Sequence, residues 1–287
     1  MGTFAGHAIP GSFFMFVGLW HVIQIYRRYY QCKRDNLMFT TSTWFPIDCC
    51  CGKLKEFPVE VVVKIFLIAV AFSLEIYTGT RNGVFVITGN EQHATMFFFF
   101  GVTGVFEILL YYKASFPPLL NYVGYAVSFS VEFVLFKFHL HGRSNMDVLL
   151  HTLLLYVIGL CILSTLAEMK YQHHVLASLT RSYGLMLQGS WFLHIGFILY
   201  NPLPGAVAWD QESHRQMMSI TSYFAWHIGF NMLIIVIIGA VISYIYRNKY
   251  GYKDEDFTVM KRLIDTNSNG QTIVNMNDDS DDDEAEF

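Results

Sequence analysis

Residues 148–168 read Val148-Leu-Leu-His151-Thr-Leu-Leu-Leu-Tyr-Val-Ile-Gly-Leu-Cys161-Ile-Leu-Ser-Thr-Leu-Ala-Glu168. A helix needs about 20 mostly apolar residues to cross the hydrocarbon core of a bilayer, and this run has that length. Six further apolar stretches accompany it, at 8–26, 59–79, 93–112, 118–138, 175–200 and 218–246. The pattern predicts an all-α fold, a bundle of seven transmembrane helices. The membrane domain is expected to fill residues 1–246, followed by a tail over 247–287.

Composition agrees. Of 287 residues, 53% are hydrophobic, 17% aromatic and 15% charged, whereas soluble domains average about 25% charged residues. The net charge of −4 comes from the end of the tail, where Asp278-Asp279-Ser280-Asp281-Asp282-Asp283-Glu284-Ala285-Glu286 carries no positive residue. The rest of the chain is slightly basic, without a Lys/Arg-rich block that would suit nucleic acid. The expected environment is the lipid bilayer, in the endomembrane system (Golgi or endosomal) or at the plasma membrane. The sequence names neither a protein partner nor an oligomeric state.

Orientation follows from the basic residues of the loops, which concentrate on the cytosolic side. Arg27, Arg28, Lys33, Arg34, Lys53, Lys55, Lys113, Lys170, Arg247, Lys249, Lys253, Lys261 and Arg262 fall on one side, and Arg81, Arg143 and Arg215 on the other. The N-terminus is therefore expected outside or in the lumen, and the C-terminus in the cytosol. No Lys or Arg precedes the first stretch and Arg27-Arg28 follow it. That reverses the charge of a secretory leader, so the stretch reads as a retained helix. The tail lacks apolar periodicity from about residue 265 and is expected to be disordered. Ser280, set among acidic residues, is a candidate phosphorylation site.

The five cysteines are Cys32, Cys49, Cys50, Cys51 and Cys161. They form no CxxC pair and fit no structural zinc spacing. Cys49, Cys50 and Cys51 precede the second stretch on the cytosolic side, where S-acylation would be physically sensible.

The ionisable residues inside the apolar stretches are the functional clue, because charge at membrane depth is costly and marks sites or buried networks. His93, Glu132, His139, His151 and His227 fall toward the outer half, as do Glu75, Asp147 and His194. Spacing places Glu132 with His139 (i, i+7), Asp147 with His151 (i, i+4) and His227 with Asn231 (i, i+4) on shared helix faces. His93 and Glu107 share a stripe with Phe97, Phe100 and Gly104. Glu60 and Lys64 are expected to pair near the cytosolic face, Lys64 snorkelling toward water. Glu75 lies about 16 Å from Lys64 along the helix and needs another partner. Glu107, Glu168 and Arg181 fall toward the inner side as a structural ion network, with Arg181 expected to pair with one of the two carboxylates.

Neutral imidazoles with carboxylates suit zinc, and paired imidazoles on facing helices suit haem iron. The outer group is thus a candidate metal, haem, proton or solute site. The competing reading is an interhelical hydrogen-bond network that fixes packing. No HxxxH, HxxHH or HExxH motif occurs. The receptor triplet DRY and the NPxxY motif are absent too.

Several blocks carry a family resemblance. Gly2-Thr-Phe-Ala-Gly-His7-Ala-Ile-Pro10-Gly11-Ser-Phe-Phe with Gly18-Leu-Trp20, His93-Ala-Thr-Met-Phe-Phe-Phe-Phe, and Glu132 with His139-Leu-His141-Gly-Arg143 form the first group. Leu187-Gln188-Gly-Ser-Trp191-Phe, Ile195-Gly-Phe-Ile-Leu-Tyr200, Trp209-Asp210 and Trp226-His227 form the second. Together they resemble the transmembrane protein 45 family, which includes the transmembrane epididymal proteins, and lean toward the epididymal branch. The likeness runs from residue 2 to about 246 and leaves out the cysteine-rich loop and the tail. It implies a multi-pass endomembrane or surface protein and supplies no reaction. At His194 the family usually has Gln. The function expected is that of a non-enzymatic membrane organiser or trafficking partner with a His/carboxylate polar site. The alternative is an intramembrane metal-dependent enzyme or haem redox protein.

Overall fold

The structure, a computed structural model, describes residues 3–47, 57–138, 140 and 142–250. The described residues form α1 (Phe4–Arg34), α2 (Val59–Gly79), β1 (Thr80–Arg81), β2 (Val84–Phe85), α3 (Thr88–Tyr111), α4 (Leu120–Phe138), α5 (Asn145–Lys170), α6 (Val175–Leu199) and α7 (His214–Tyr250). Four of the helices, α1, α3, α5 and α7, are long and apolar enough to cross a membrane by length and composition. The compact unit that holds the site spans Met1–Ser243, and the chain from Tyr244 onward forms a separate unit.

Local chemistry sets the helix ends. The Thr3 hydroxyl accepts from the Gly6 amide at 3.0 Å and caps α1. Ser144 caps α5 in the same way through the amide of Asp147. Both satisfy an amide that the first helical turn leaves without a carbonyl. α1 continues past the apolar stretch to Arg34 and stops where Asn36 adopts a left-handed conformation, φ 53°. Lys33 and Arg34 in its last turn complement the negative end of the helix dipole.

Hydropathy alone anticipates no strand. The dipeptide Asn82-Gly83 nevertheless builds a short hairpin between α2 and α3, with φ of 49° and 77° at its two central residues. Two positive φ values in a two-residue loop match the twist of antiparallel strands, and Thr80 pairs with Phe85 while Arg81 pairs with Val84.

Packing follows the chain from α2 to α6: α2 lies on α3, α3 on α4, α4 on α5 and α5 on α6, and α6 returns to α1. The α1–α6 contact is made by small residues. A Cβ placed on Gly189 would lie 2.5 Å from the Met15 amide nitrogen and 2.6 Å from the Gly11 carbonyl oxygen. One placed on Gly18 would lie 2.9 Å from the Met186 nitrogen and 3.1 Å from the Ser182 carbonyl oxygen. The two backbones therefore touch directly, as small residues permit in helix pairs without a hydrophobic driving force.

α6 is the interior helix. Sixteen of its twenty-five residues are buried, among them Ser178, Arg181, Ser182, Gln188 and Ser190. Its polarity therefore reflects protein on nearly every side. One core cluster forms around Phe129, Leu150, Leu154, Ile158, Trp191 and Ile195. A second, around Val22, Ile25, Phe39, Phe45, Leu179 and Met186, draws in the segment after α1. Outward faces are apolar instead, with Phe66, Leu67, Val70 and Leu74 exposed on α2 and Trp226, Phe230, Leu233 and Ile237 on α7. Apolar surface of this extent marks a membrane or interaction surface, and soluble monomers rarely show it.

The α1–α6 contact makes a clean prediction. Gly189→Val should destabilise the detergent-solubilised protein by about 1–3 kcal/mol, the usual cost of overpacking. Gly159→Val should leave it nearly unchanged, because a Cβ at Gly159 meets nothing within 4 Å. Thermal unfolding of the two variants beside the wild type measures the difference.

Candidate functional site

The polar centre is built on a segment that is not helical. Residues 39–45 read Phe-Thr-Thr-Ser-Thr-Trp-Phe, and burial alternates along them. Thr41, Thr43 and Phe45 are buried, while Ser42 and Trp44 are partly open. That period of two is the signature of extended backbone with one face turned inward. The inward face enters the end of the assembly where α1, α3 and α5 finish and α2, α4 and α6 begin.

Lys64, near the start of α2, sits between two carboxylates there. Its ammonium lies 3.0 Å from Glu107 Oε2 on α3 and 3.2 Å from Glu60 Oε1 one turn earlier on α2. It also donates to the Tyr125 hydroxyl at 3.1 Å. Glu60 receives the Trp20 indole N–H at 2.7 Å, the Phe45 amide at 2.8 Å and His21 Nε2 at 2.8 Å. Glu107 receives the Thr43 hydroxyl at 2.6 Å, and Thr43 in turn receives the Asn121 amide at 2.7 Å.

His21 passes the network on to α6. Arg181 Nη1 lies 3.2 Å from His21 Nδ1. Guanidinium nitrogens only donate, so Nδ1 must accept, and Nε2–H is the donor to Glu60. The remaining Arg181 nitrogens bond the Glu168 carboxylate and, at 3.1 Å, the Ser42 carbonyl. Glu168 also receives the Thr41 hydroxyl, which lies 2.7 Å from Ser178 Oγ and accepts from Tyr122 at 3.1 Å. The result is one buried chain, Glu107–Lys64–Glu60–His21–Arg181–Glu168, which draws on α1, α2, α3, α5 and α6 and on the 39–45 segment. Tyr122 and Asn121 tie in α4.

Two expectations change here. Lys64 does not snorkel to water; it is only 7% exposed, because Glu107 on the next helix offers a closer counter-charge. The segment after α1, expected as a basic cytosolic loop, turns into the interior, where its threonines complete the carboxylate shells. Arg181 lies against Glu168, and Glu107 takes Lys64 instead.

The outer group is spread over separate contacts. His93 Nδ1 is 3.2 Å from Glu75 Oε1, with both side chains partly open. Asp147 bonds Arg143 at 2.7 Å and His151 Nδ1 at 2.7 Å. The His151 ring stacks near Phe136 and meets His7 edge-on at 5.7 Å. Glu132, fully buried, receives the Gln188 amide at 2.8 Å, and the Gln188 oxygen faces Cys161 Sγ at 3.4 Å. The His194 and His227 rings lie 5.0 Å apart between α6 and α7. Among the described residues no three His, Cys, Asp or Glu side chains gather as a metal-ligand set. His139, the Cys49-Cys50-Cys51 run and Ser280 lie outside the described residues.

Helices with apolar outer faces and a buried ionic interior define a helical integral membrane protein. A model described as a family of unknown function, DUF716, matches residues 119–240, which run from the start of α4 into α7. The chain is 27% identical over 256 residues to mouse transmembrane epididymal protein 1A, covering 86% of this chain and 83% of that protein. To rat transmembrane epididymal protein 1 it is 26% identical over the same length and the same shares. Human transmembrane epididymal protein 1 matches over 93 residues at 28% identity, or 32% of this chain and 34% of that one. The chain is thus similar to the transmembrane epididymal proteins over most of its length, in keeping with the resemblance its sequence blocks carry.

The Arg181–Glu168 contact can be tested by substitution. Removing one partner of a buried ion pair leaves the other charge uncompensated and costs about 3–5 kcal/mol, whereas replacing both with apolar groups costs far less. Arg181→Met alone should therefore unfold the protein much earlier than Arg181→Met combined with Glu168→Leu. Denaturant unfolding in detergent measures this, and equal destabilisation of the single and double variants would contradict it.

Proposed function

We propose that the chain is a seven-pass integral membrane protein, N-terminus outside or lumenal and C-terminus cytosolic, that acts as an organiser or trafficking partner. The observation that carries this reading is how the interior charge is used. Glu107, Lys64, Glu60, His21, Arg181 and Glu168 bond to one another across the helices. Such a network fixes how helices meet. On this reading α2, α4 and α6 also cross the bilayer, their ionisable residues shielded by the other helices. A rigid membrane body then displays its cytosolic surfaces, the basic residues after α1 and the acidic tail, to other components of the membrane system.

The competing reading, an intramembrane metal-dependent enzyme or haem redox protein built on His93, Glu132, His139, His151 and His227, requires these groups to meet. The four described members have separate partners: Glu75 for His93, Gln188 for Glu132, Asp147 for His151 and the His194 ring beside His227. That distribution favours the organiser.

The cell-level test uses a tag placed after Phe287. Antibody should reach it once the plasma membrane alone is permeabilised, with internal membranes intact. Truncation after Tyr250 should leave the unfolding temperature of the membrane domain unchanged and shift the protein's distribution between internal membranes and the cell surface. A tag reachable only from the lumen would overturn the orientation. An unchanged distribution would count against the trafficking role.

A further inference from the structure

Among the described residues the buried carboxylates are Glu60, Glu107, Glu132, Asp147 and Glu168. All but one have a cation against them. Lys64 serves Glu60 and Glu107, Arg143 serves Asp147, and Arg181 serves Glu168. Glu132 is the exception. It is 2% exposed, and its one hydrogen bond comes from the Gln188 amide at 2.8 Å. Its Oε2 is buried without a partner.

No neighbouring element brings a charge to it. On α4 itself the next cation is Lys137, which is exposed and, five residues on, points to another side of the helix. α3 and α5 pack against α4. The buried carboxylate of α3, Glu107, is held by Lys64. On α5, Asp147 and His151 bond each other near one end, and Glu168 bonds Arg181 near the other. The α5 residue nearest the pair is Cys161, whose thiol faces the Gln188 oxygen at 3.4 Å. On α6, Arg181 stands seven residues before Gln188, about 10 Å along the helix. Phe129 and Phe136, one turn to either side of Glu132 on its own face, belong to the apolar core.

An ionised carboxyl without a counter-charge is not kept in such surroundings; it takes up a proton instead. A route for that proton runs along the same helix face. Tyr125, Ser128 and Glu132 follow one another at i, i+3 and i+7. The Tyr125 hydroxyl meets Lys64 at 3.1 Å and Glu107 at 3.3 Å. Ser128 lies 2.9 Å from Thr103, one turn before Glu107 on α3. Ser128 also faces the Gly124 carbonyl at 2.9 Å, and Thr103 the Phe99 carbonyl at 3.0 Å. The two hydroxyls thus have two protons for three contacts, so each can turn between partners.

We propose that Glu132 is a proton-binding site, standing in the bundle as the neutral acid and exchanging its proton with the Lys64 network along this face of α4 and α3. The site goes beyond the organiser reading and does not depend on it.

Infrared spectroscopy of the intact protein in detergent at neutral pH tests both parts. An un-ionised carboxyl has a C=O band distinct from those of carboxylates and amides, and deuterium shifts it to lower frequency. The wild type should show the band and Glu132→Gln should lose it. In heavy water the wild-type band should shift within minutes, while the amides of α4 remain protonated. A hydrophobic carbodiimide gives a second readout on the wild type alone. The acid oxygen adds to the central carbon and the proton passes to nitrogen, so the adduct keeps every atom of both. Mass spectrometry should place it on Glu132 and leave Glu60, Glu107 and Glu168 unmodified. Absence of the band in the wild type, or its persistence in Glu132→Gln, would overturn the neutral acid. Labelling of Glu60, Glu107 or Glu168 in place of Glu132 would do the same. A shift no faster than the α4 amides exchange would overturn the route.

Discussion

The Lys64 ammonium lies between Glu60 and Glu107, and much of the structure depends on that contact. A buried ammonium is tolerable only where opposite charge and further acceptors surround it. Supplying them requires α3 to bring Glu107 beside α2, α4 to bring Tyr125, and the 39–45 segment to bring the Thr43 carbonyl. Glu60 must in turn satisfy its second oxygen, and it does so through Trp20 and Phe45. The same logic repeats around Arg181, whose partners are Glu168, His21 and the Ser42 carbonyl. Each charge therefore constrains the placement of helices distant in sequence.

The small-residue contact and the ionic chain are coupled through α1. Gly18 lets α1 approach the Ser182 carbonyl and the Met186 amide of α6. His21 is the next residue but two on α1, and Arg181 directly precedes Ser182, so the close approach is what brings imidazole and guanidinium within 3.2 Å. Any bulk that pushed α1 from α6 would open this polar contact along with the apolar one. Packing and electrostatics are thus one constraint along this interface, which explains why the interior helix α6 carries three Ser and three Gly among its residues.

Contacts within one helix were legible in the sequence. Glu60 with Lys64, and Asp147 with His151, follow from i, i+4 spacing, and the structure shows both pairs. Contacts between helices were not. The i, i+4 rule does not reveal that Glu75 meets His93 or that Lys64 turns to Glu107, since helix order is not written in spacing. The segment 39–45 escaped for a different reason. Its Thr and Ser residues look solvated by hydropathy, and only the alternation of Thr41, Thr43 and Phe45 hints at an inward face. The Asn82-Gly83 hairpin escaped a reading by hydropathy, although that dipeptide carries its own turn chemistry. The outer residues were expected at one depth of the membrane, but a shared depth does not make neighbours, and His93, Glu132, His151 and His227 have separate partners.

The family match covers residues 119–240 and so includes Arg181 and Glu168 but neither Lys64 nor its carboxylate partners. The central claim is that residues 39–45 are part of the folded interior and organise the helix ends around buried charge. Hydrogen–deuterium exchange on the intact protein in detergent reads this directly. The amides of Thr41 and Phe45 donate to the Gln172 carbonyl and to Glu60, each at 2.8 Å. They should exchange over minutes to hours, as slowly as the neighbouring helix ends. Exchange within seconds, at the rate of an open loop, would contradict the account.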